Sequence, residues 1–458
     1  MRFTNLTRAP EIGANSYLLN AGGKSLLLDC GMHPRLEGDD ATPLLSLLPE
    51  QLDAAIVTHS HLDHAGSLPV LRRRQPATRV FLSPPTARMN DVLLHNSVNV
   101  MNRRYESGGT SPMPLFSHRE ADLAARLWQQ VSVGQVWSVD GDRLPSPEDA
   151  DVSFEFCHAG HILGSVGVLI REGSRRVLYT GDINFEDQTV TRGASLPEGP
   201  LDALIIETTR GDYERPANFS RADEEQRFAR QLAETLEAGG SVLVPVFALG
   251  KTQEVLSMLL RFFEQALLPA DTPLFIGGLS TRMTEIHDSF AGNGEFHRRH
   301  ADLMGRLDPQ RLMGKDAENT PIRPGCIYAL SSGMMTEGTL SHTFARKMMT
   351  HEQNSIFFVG YADPASPGGH VKVAKTGATV NLGDMTPPAE LRCRVEKFDF
   401  SAHAHRESIL AYVRSVAPKK VLLVHGDRPA LEWFERTLRT ELPGSEIIIP
   451  APGAEIEI

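Results

Sequence analysis

The sequence predicts an α/β protein of two domains, one of them inserted into the other. Short apolar runs that read as buried strands repeatedly end in a glycine, a histidine or an acidic residue. Residues 54–57 precede Thr58-His59, 176–179 precede Gly181-Asp182, 203–206 precede Glu207, and 421–424 precede His425. Between about residues 220 and 360, strand-like runs alternate with helical ones, the pattern of a parallel sheet. From about residue 391 the chain returns to the pattern of its first 210 or so residues. A chain of 458 residues is also too long for one ordinary core. Neither a Gly/Ser-rich linker nor a fixed-period repeat separates its parts, so the second domain is expected to be inserted or tightly joined.

Residues 12–30 read as two short strands around the turn Asn20-Ala21-Gly22-Gly23. The second strand delivers Asp29 at its tip. A carboxylate there can be a metal ligand, a turn former or the partner of a ligating imidazole. The last reading is preferred, because such imidazoles usually have their other nitrogen held. The densest stretch follows: Thr58-His59-Ser60-His61-Leu62-Asp63-His64 packs three imidazoles and a carboxylate into its last six residues. His59 and His61, two apart, can converge on one metal from a turning strand end. Asp63 and His64 lie half a turn further on and cannot easily reach the same ion. Two adjacent metals with N/O ligands of the kind zinc takes are the natural reading. Residues 65–69 are expected to start a helix.

Ser117-His118-Arg119-Glu120 is a capping box, with Leu123, Leu127 and Trp128 expected on one helical face. Residues 151–156 alternate as a strand and open into Cys157-His158-Ala159-Gly160-His161. Both histidines are ligand candidates, although His158 can equally be a packed or supporting group. Asp182 and Glu207 repeat the device of a polar residue at a strand tip.

In the middle of the chain, residues 220–240 read as a capped helix with Phe228, Leu232 and Leu236 on one stripe. Strands are expected at 241–246, 273–276, 326–330 and 355–359, with a helix at 250–263. The last two strands run into Ser331-Ser332-Gly333-Met334 and Gly360-Tyr361, and such loops are where parallel α/β sheets hold ligands. Ser401-Ala402-His403 then precedes a helix, and His425-Gly426-Asp427 tips the last buried strand.

Composition sets the outer bounds. Hydrophobic content of 41% and charged content of 22% describe a soluble globular chain. No apolar run approaches the roughly 20 residues of a membrane span, so no membrane partner is expected. Four widely spaced cysteines argue against a disulfide framework or zinc ribbon, and the first residues lack a signal-peptide core. Together these predict a cytoplasmic location. The net charge of −11 argues against a generic polyanion-binding surface, but one basic groove or a metal pair can still hold a phosphate.

His59, His61, Asp63, His64, His161, Asp182, His403 and His425 mostly sit at strand ends or in the loops beyond. This pattern resembles the metallo-β-lactamase fold, and within it the β-CASP nucleases. Asp29-Cys30-Gly31-Met32-His33-Pro34 looks especially like the RNA-cleaving branch that acts in pre-mRNA 3′-end processing, and its prokaryotic homologues. Val244-Pro245-Val246-Phe247-Ala248-Leu249-Gly250-Lys251-Thr252-Gln253-Glu254 and Ser332-Gly333-Met334 are similar to signatures of the inserted β-CASP domain. The resemblance implies an αββα sandwich from residues 1–209 and 394–458, with a parallel α/β domain inserted at 210–393 and RNA in the cleft between them.

Carried over by position, the resemblance gives His59, His61 and His161 to one zinc and Asp63, His64 and His425 to a second. Asp182 bridges both. Its implied catalytic set is Asp63, Asp182, His403 and Glu207. A di-zinc-activated hydroxide attacks the phosphodiester, His403 protonates the leaving oxygen, and Glu207 orients His403. Asp29 is expected to support a ligand, and Lys251, Ser331 and Ser332 to contact substrate. Three positions and one loop depart from the family pattern: His405 replaces an Asp, Arg210 a Tyr, Lys251 an Arg, and residues 362–367 a Gly-Thr loop. The implied function is a zinc-dependent ribonuclease acting on single-stranded RNA, in an internal or a 5′-exonucleolytic mode. Targeting would depend on an accessory partner or on a homodimer. A DNA nuclease of the same superfamily and a metal-stabilised scaffold subunit are the rival readings.

Overall fold

The computed structural model describes residues 1–106, 111–292, 302–313, 316–384 and 386–458. The chain divides into two compact units. The first comprises Met1–Asp187, Arg192–Arg215 and His403–Ile458; the second comprises Gln188–Thr191 and Pro216–Ala402.

Two seven-stranded sheets build the first unit. One runs in the spatial order Glu455–Glu457, Arg2–Asn5, Tyr17–Ala21, Lys24–Leu28, Ala54–Ile56, Arg79–Leu82 and Trp128–Gln130. The other runs Glu446–Ile448, Lys420–Val424, Ala203–Glu207, Arg175–Tyr179, Val166–Glu172, Val152–His158 and Val136–Ser138. Alternate residues of each strand serve different cores, because side chains in a strand point to opposite faces. Leu19, Leu26 and Leu28 share a core with Phe154, Phe156, Ile205, Leu422 and Val424 of the other sheet. Leu18 and Leu27 instead pack with Leu71, Leu94 and Ala121 of helices Leu68–Arg74, Pro84–Glu106 and His118–Ala125. On the far face of the second sheet, Leu204, Ile206, Val421 and Leu423 pack with Ile409 and Phe434 of helices Arg406–Val416 and Arg428–Glu441. The result is an αββα sandwich.

Local sequence explains several of these elements. The hairpin turn between Tyr17–Ala21 and Lys24–Leu28 uses Gly22 and Gly23 at φ 54 and 75, the paired positive angles a tight two-residue turn requires. At the capping box, Glu120 N donates to Ser117 Oγ and Ser117 N donates to Glu120 Oε2. One expectation is corrected here. That helix stops at Ala125, and Trp128 opens a strand whose parallel pairing to Arg79–Leu82 overrides the helical spacing. The helix expected to start within residues 65–69 is Leu68–Arg74, and a separate short helix, Leu62–Ala65, precedes it with Asp63 and His64 in its single turn. An acidic side chain is favoured in the first turn of a helix.

The second unit holds a six-stranded sheet in the order Gln310–Leu312, Leu274–Gly277, Ile327–Leu330, Val242–Pro245, Ser355–Phe358 and Arg394–Lys397. Every pairing in it is parallel. Val242 and Val244 face Phe228, Leu232 and Leu259 of helices Arg221–Glu237 and Lys251–Glu264. Leu243 faces Phe344 and Met348 of helix Leu340–Met348. Both faces are therefore covered, as an all-parallel sheet requires.

The unit boundaries fall at 215/216 and 402/403, whereas the sequence placed them at 209/210 and 393/394. Strand Arg394–Lys397 belongs to the second unit because it adds to the edge of Ser355–Phe358. Residues 188–191 join that unit too: the backbone N–H groups of Thr189 and Val190 donate to the Glu254 carboxylate at 2.7 and 3.0 Å. No helix among the described residues is long and apolar enough to cross a membrane.

Candidate metal centre

Strand geometry delivers the functional side chains of the first unit. Asp29 follows strand Lys24–Leu28, His59 and His61 follow Ala54–Ile56, and Asp182 follows Arg175–Tyr179. Glu207 ends its strand, and His425 follows Lys420–Val424 at φ 49. Adjacent members of this set come from parallel strand pairs, so their carboxyl ends lie side by side.

Three imidazoles converge first. His61 Nδ1 lies 3.2 Å from both His59 Nε2 and His161 Nε2. Asp182 Oδ2 stands 3.5 Å from His59 Nε2 and 3.6 Å from His161 Nε2. A second convergence adjoins it. His425 Nε2 is 3.3 Å from Asp63 Oδ2 and 3.4 Å from His64 Nε2. The other oxygen of Asp182, Oδ1, lies 3.4 Å from His64 Nε2 and 3.0 Å from His425 Nδ1. Asp182 thus turns one oxygen to each group. His59, His61, His161 and Asp182 form one set able to hold a metal ion, and Asp63, His64 and His425 form another.

Electrostatics favours an ion in both. Burial holds the His59 imidazole well below its ordinary range and lowers His61 as well, so these rings meet as neutral imidazoles, and one N–H at His61 Nδ1 can satisfy only one of the two nitrogens facing it. Burial raises the Asp63 carboxyl, but His64 and His425 outweigh it and hold it down at about 2. Burial likewise opposes ionisation of Asp182, yet His425, His64 and His403 keep its carboxyl well below the carboxylate range. Asp182 Oδ1 is also buried without a hydrogen-bond partner. A carboxylate oxygen without a donor and facing imidazole nitrogens are ligand types that zinc takes, so the residues present fit such an ion.

His403 flanks the cluster, its ring centroid 4.5 Å from that of His161 and 6.0 Å from that of His425. Its Nδ1 faces the Glu207 carboxylate at 3.0 and 3.1 Å. Glu207 is buried and is fixed from behind by Ile183 N at 2.7 Å. Burial opposes the charged form of His403, but Glu207 and Asp182 raise it above its ordinary value.

Asp29 stands behind His64, with Oδ2 2.7 Å from its Nδ1. His158 is buried at the end of its strand and belongs to none of the metal-competent sets among the described residues, which include a third made of Asp182, Glu207, His403 and His425. Lys251, expected to face substrate, is buried instead, and its ammonium donates to the Phe400 carbonyl oxygen. Ser332 Oγ accepts from Thr336 N at 3.1 Å, and the Ser331 and Ser332 carbonyls accept from Ser341. His405, where the family pattern has an acid, lies 3.9 Å from Glu186, which Arg215 also grips. Sequence reasoning missed Asn15, Thr58, Tyr179 and Thr209. Asn15 Nδ2 lies 3.3 Å from His64 Nε2, and Thr209 Oγ1 lies 3.0 Å from His425 Nδ1. Thr58 and Tyr179 stood inside motifs already singled out, and their hydroxyls were the available signal.

An αββα sandwich with metal-competent groups along one row of strand ends defines the metallo-β-lactamase fold. The superfamily model matches residues 9–89, the β-CASP domain model residues 252–371, and the Zn-dependent metallo-hydrolase RNA specificity domain residues 388–450. The chain thus carries metallo-β-lactamase and β-CASP domains. It is 27% identical to cleavage and polyadenylation specificity factor 73 of Drosophila melanogaster, over 94% of this chain and 60% of that protein. It is 28% identical to endoribonuclease YSH1 of Eremothecium gossypii, over 93% of this chain and 55% of that protein. With Integrator complex subunit 11 of Danio rerio the identity is 27%, covering 99% and 73%. The chain therefore spans less than two thirds of the length of the first two relatives. A protein of unknown function from Enterococcus faecalis shares the fold, with a TM-score of 0.56 at 14% identity, covering 100% of this chain and 99% of that one.

Proposed function

We propose that this chain is a zinc-dependent ribonuclease that hydrolyses phosphodiester bonds of single-stranded RNA. The observation that carries the reading is the division of the Asp182 carboxylate between two metal-competent groups, with the His403–Glu207 pair beside them. His59, His61 and His161 would hold one ion, Asp63, His64 and His425 the other, and Asp182 both. Zinc held there would supply Lewis-acid polarisation of the phosphodiester and a nucleophile at neutral pH. Glu207 fixes the His403 ring through Nδ1, which assigns proton delivery to Nε2. That nitrogen gives its proton to the leaving ribose oxygen as the P–O bond breaks. The raised affinity of His403 for its proton suits an acid that must be charged before the step.

The choice of RNA rests on the RNA specificity domain, which spans both His403 and His425, and on the names of the RNA-processing relatives. With zinc restored, end-labelled RNA and DNA of one sequence compete for the enzyme at fixed salt. RNA should be cleaved preferentially, and product sizes report an internal or a 5′-terminal mode. Equal or faster cleavage of the DNA favours the DNA-nuclease reading. No cleavage of either by zinc-loaded protein favours a scaffold role.

A further inference from the structure

We propose that Thr58 and Tyr179 are positioning residues through which a single carboxylate, that of Asp29, fixes the tautomer of one histidine in each metal-competent group. This rests on the two-ion reading above and adds to it a physical link between the two groups.

Four donors converge on Asp29, which is 1% exposed. Oδ1 accepts from Thr58 N at 2.7 Å. Oδ2 accepts from Thr58 Oγ1 at 2.8 Å, from Tyr179 Oη at 2.6 Å and from His64 Nδ1 at 2.7 Å. An ionised carboxylate has no proton to give, so each of these partners is the donor. His64 therefore carries its hydrogen on Nδ1 and turns the lone pair of Nε2 toward Asp182, Asp63 and His425.

Thr58 carries the constraint to the other group. A threonine hydroxyl has one hydrogen, and here Asp29 takes it. The contact between Thr58 Oγ1 and His59 Nδ1, at 3.1 Å, must then have the imidazole as donor. His59 in turn presents the lone pair of Nε2 to His61 and Asp182 Oδ2. Neither ring is left to choose its tautomer, although the two belong to different sets.

Tyr179 supplies the remaining donor, and the backbone holds the carboxylate in place. Asp29 occupies φ 59, kept there by its N–H on Ile56 O at 2.8 Å and by Ser16 Oγ on its carbonyl at 2.9 Å. Thr58 is fully buried, and Gly181 packs so closely that a Cβ there would sit 2.7 Å from its side chain.

The test is zinc retention by the full chain, read by competition with chelators of graded affinity. Wild type, Thr58→Val, Thr58→Ser and Tyr179→Phe are compared, with circular dichroism to confirm folding. Loss of an outer hydrogen bond to a ligating histidine typically costs about 10–100-fold in metal affinity. Thr58→Val should weaken one ion by about that factor, and Thr58→Ser should restore it, which a packing role alone would not predict. Tyr179→Phe should weaken an ion by about tenfold while deleting a single oxygen atom, so it tests the relay even if Thr58→Val does not fold. A wild type that takes up only one ion overturns the two-ion reading and the relay together. A wild type that takes two, with folded variants that hold both equally well, overturns the relay alone.

Discussion

At the strand ends of the first unit, Asp182 and four imidazoles are buried among groups of their own kind, with facing ring nitrogens and an acceptor left without a donor. Near the N-terminal ends of two helices of the second unit, buried carboxylates have found their partners within the chain. Glu254 accepts from two backbone N–H groups and from Arg221, and Glu225 is held by Arg221 and Arg261. Both units are α/β layers with polar residues beyond their strands, so architecture does not separate them. Compensation does. A buried polar group with its partners is structure, and one without them is a request for a ligand.

Metal removal breaks the comparison most severely. Chelation should abolish cleavage and lower the melting temperature of the first unit, because the facing groups lose what reconciles them. An ion at about a thousand times its dissociation constant contributes about 4 kcal/mol. Calorimetry of chelated and reconstituted protein checks this, and an unchanged transition would mean that the cluster reconciles itself. His64→Ala should retain one ion, so metal analysis reads the division into two groups directly.

His403 is the exception within the first unit, since Glu207 already compensates it. It should behave accordingly. His403→Ala is expected to keep its zinc and its fold while cleaving about 10²–10⁴-fold more slowly, the usual cost of a lost general acid. Single-turnover rates with parallel metal analysis decide the matter. Loss of zinc along with activity would make His403 a ligand and reopen the role of His425.

The sequence disclosed the first unit's chemistry better than the second unit's edges, for a physical reason. Metal-competent residues at strand tips are local signals, since an apolar run and the polar residue ending it are contiguous. The division of Asp182 between two groups is a tertiary fact, and the grouping came from resemblance. Trp128 reads as the last residue of a helical stripe, yet parallel pairing with Arg79–Leu82 decides its state. Arg394–Lys397 has one apolar residue, Val395, among three charged ones and joins an edge, so only its neighbour identifies it as a strand. Lys251 lies in a signature motif that suggests a substrate contact, and the fold buries it with its ammonium on the Phe400 carbonyl oxygen.

Changes in the second unit should move stability and leave the metal alone. Glu254→Ala strands Arg221 and unties the N–H groups of Thr189 and Val190. Breaking one side of a buried ion pair typically costs about 3–5 kcal/mol. Denaturant melts should show that loss with zinc content unchanged. A drop in zinc instead would mean that the segment at 188–191 supports the metal residues, whose nearest neighbour in sequence is Asp182.

The smallest effect calibrates the rest. Ser220 caps helix Arg221–Glu237, its hydroxyl accepting from Asp223 N at 3.3 Å, and nothing about that bond reaches a buried charge. Ser220→Ala should cost about 1 kcal/mol, the ordinary value of a lost N-cap. Because Arg221 is the first residue of the same helix, fraying there would also loosen its grip on Glu254 and Glu225. A loss well above about 2 kcal/mol would show that the cap and the buried ion pairs melt as one. A double mutant with Glu254→Ala separates the cases: independent sites add their costs, whereas a shared network gives less than the sum. Zinc content and cleavage rate should stay at wild-type values throughout, because among the described residues the groups that ask for a metal are all in the other unit.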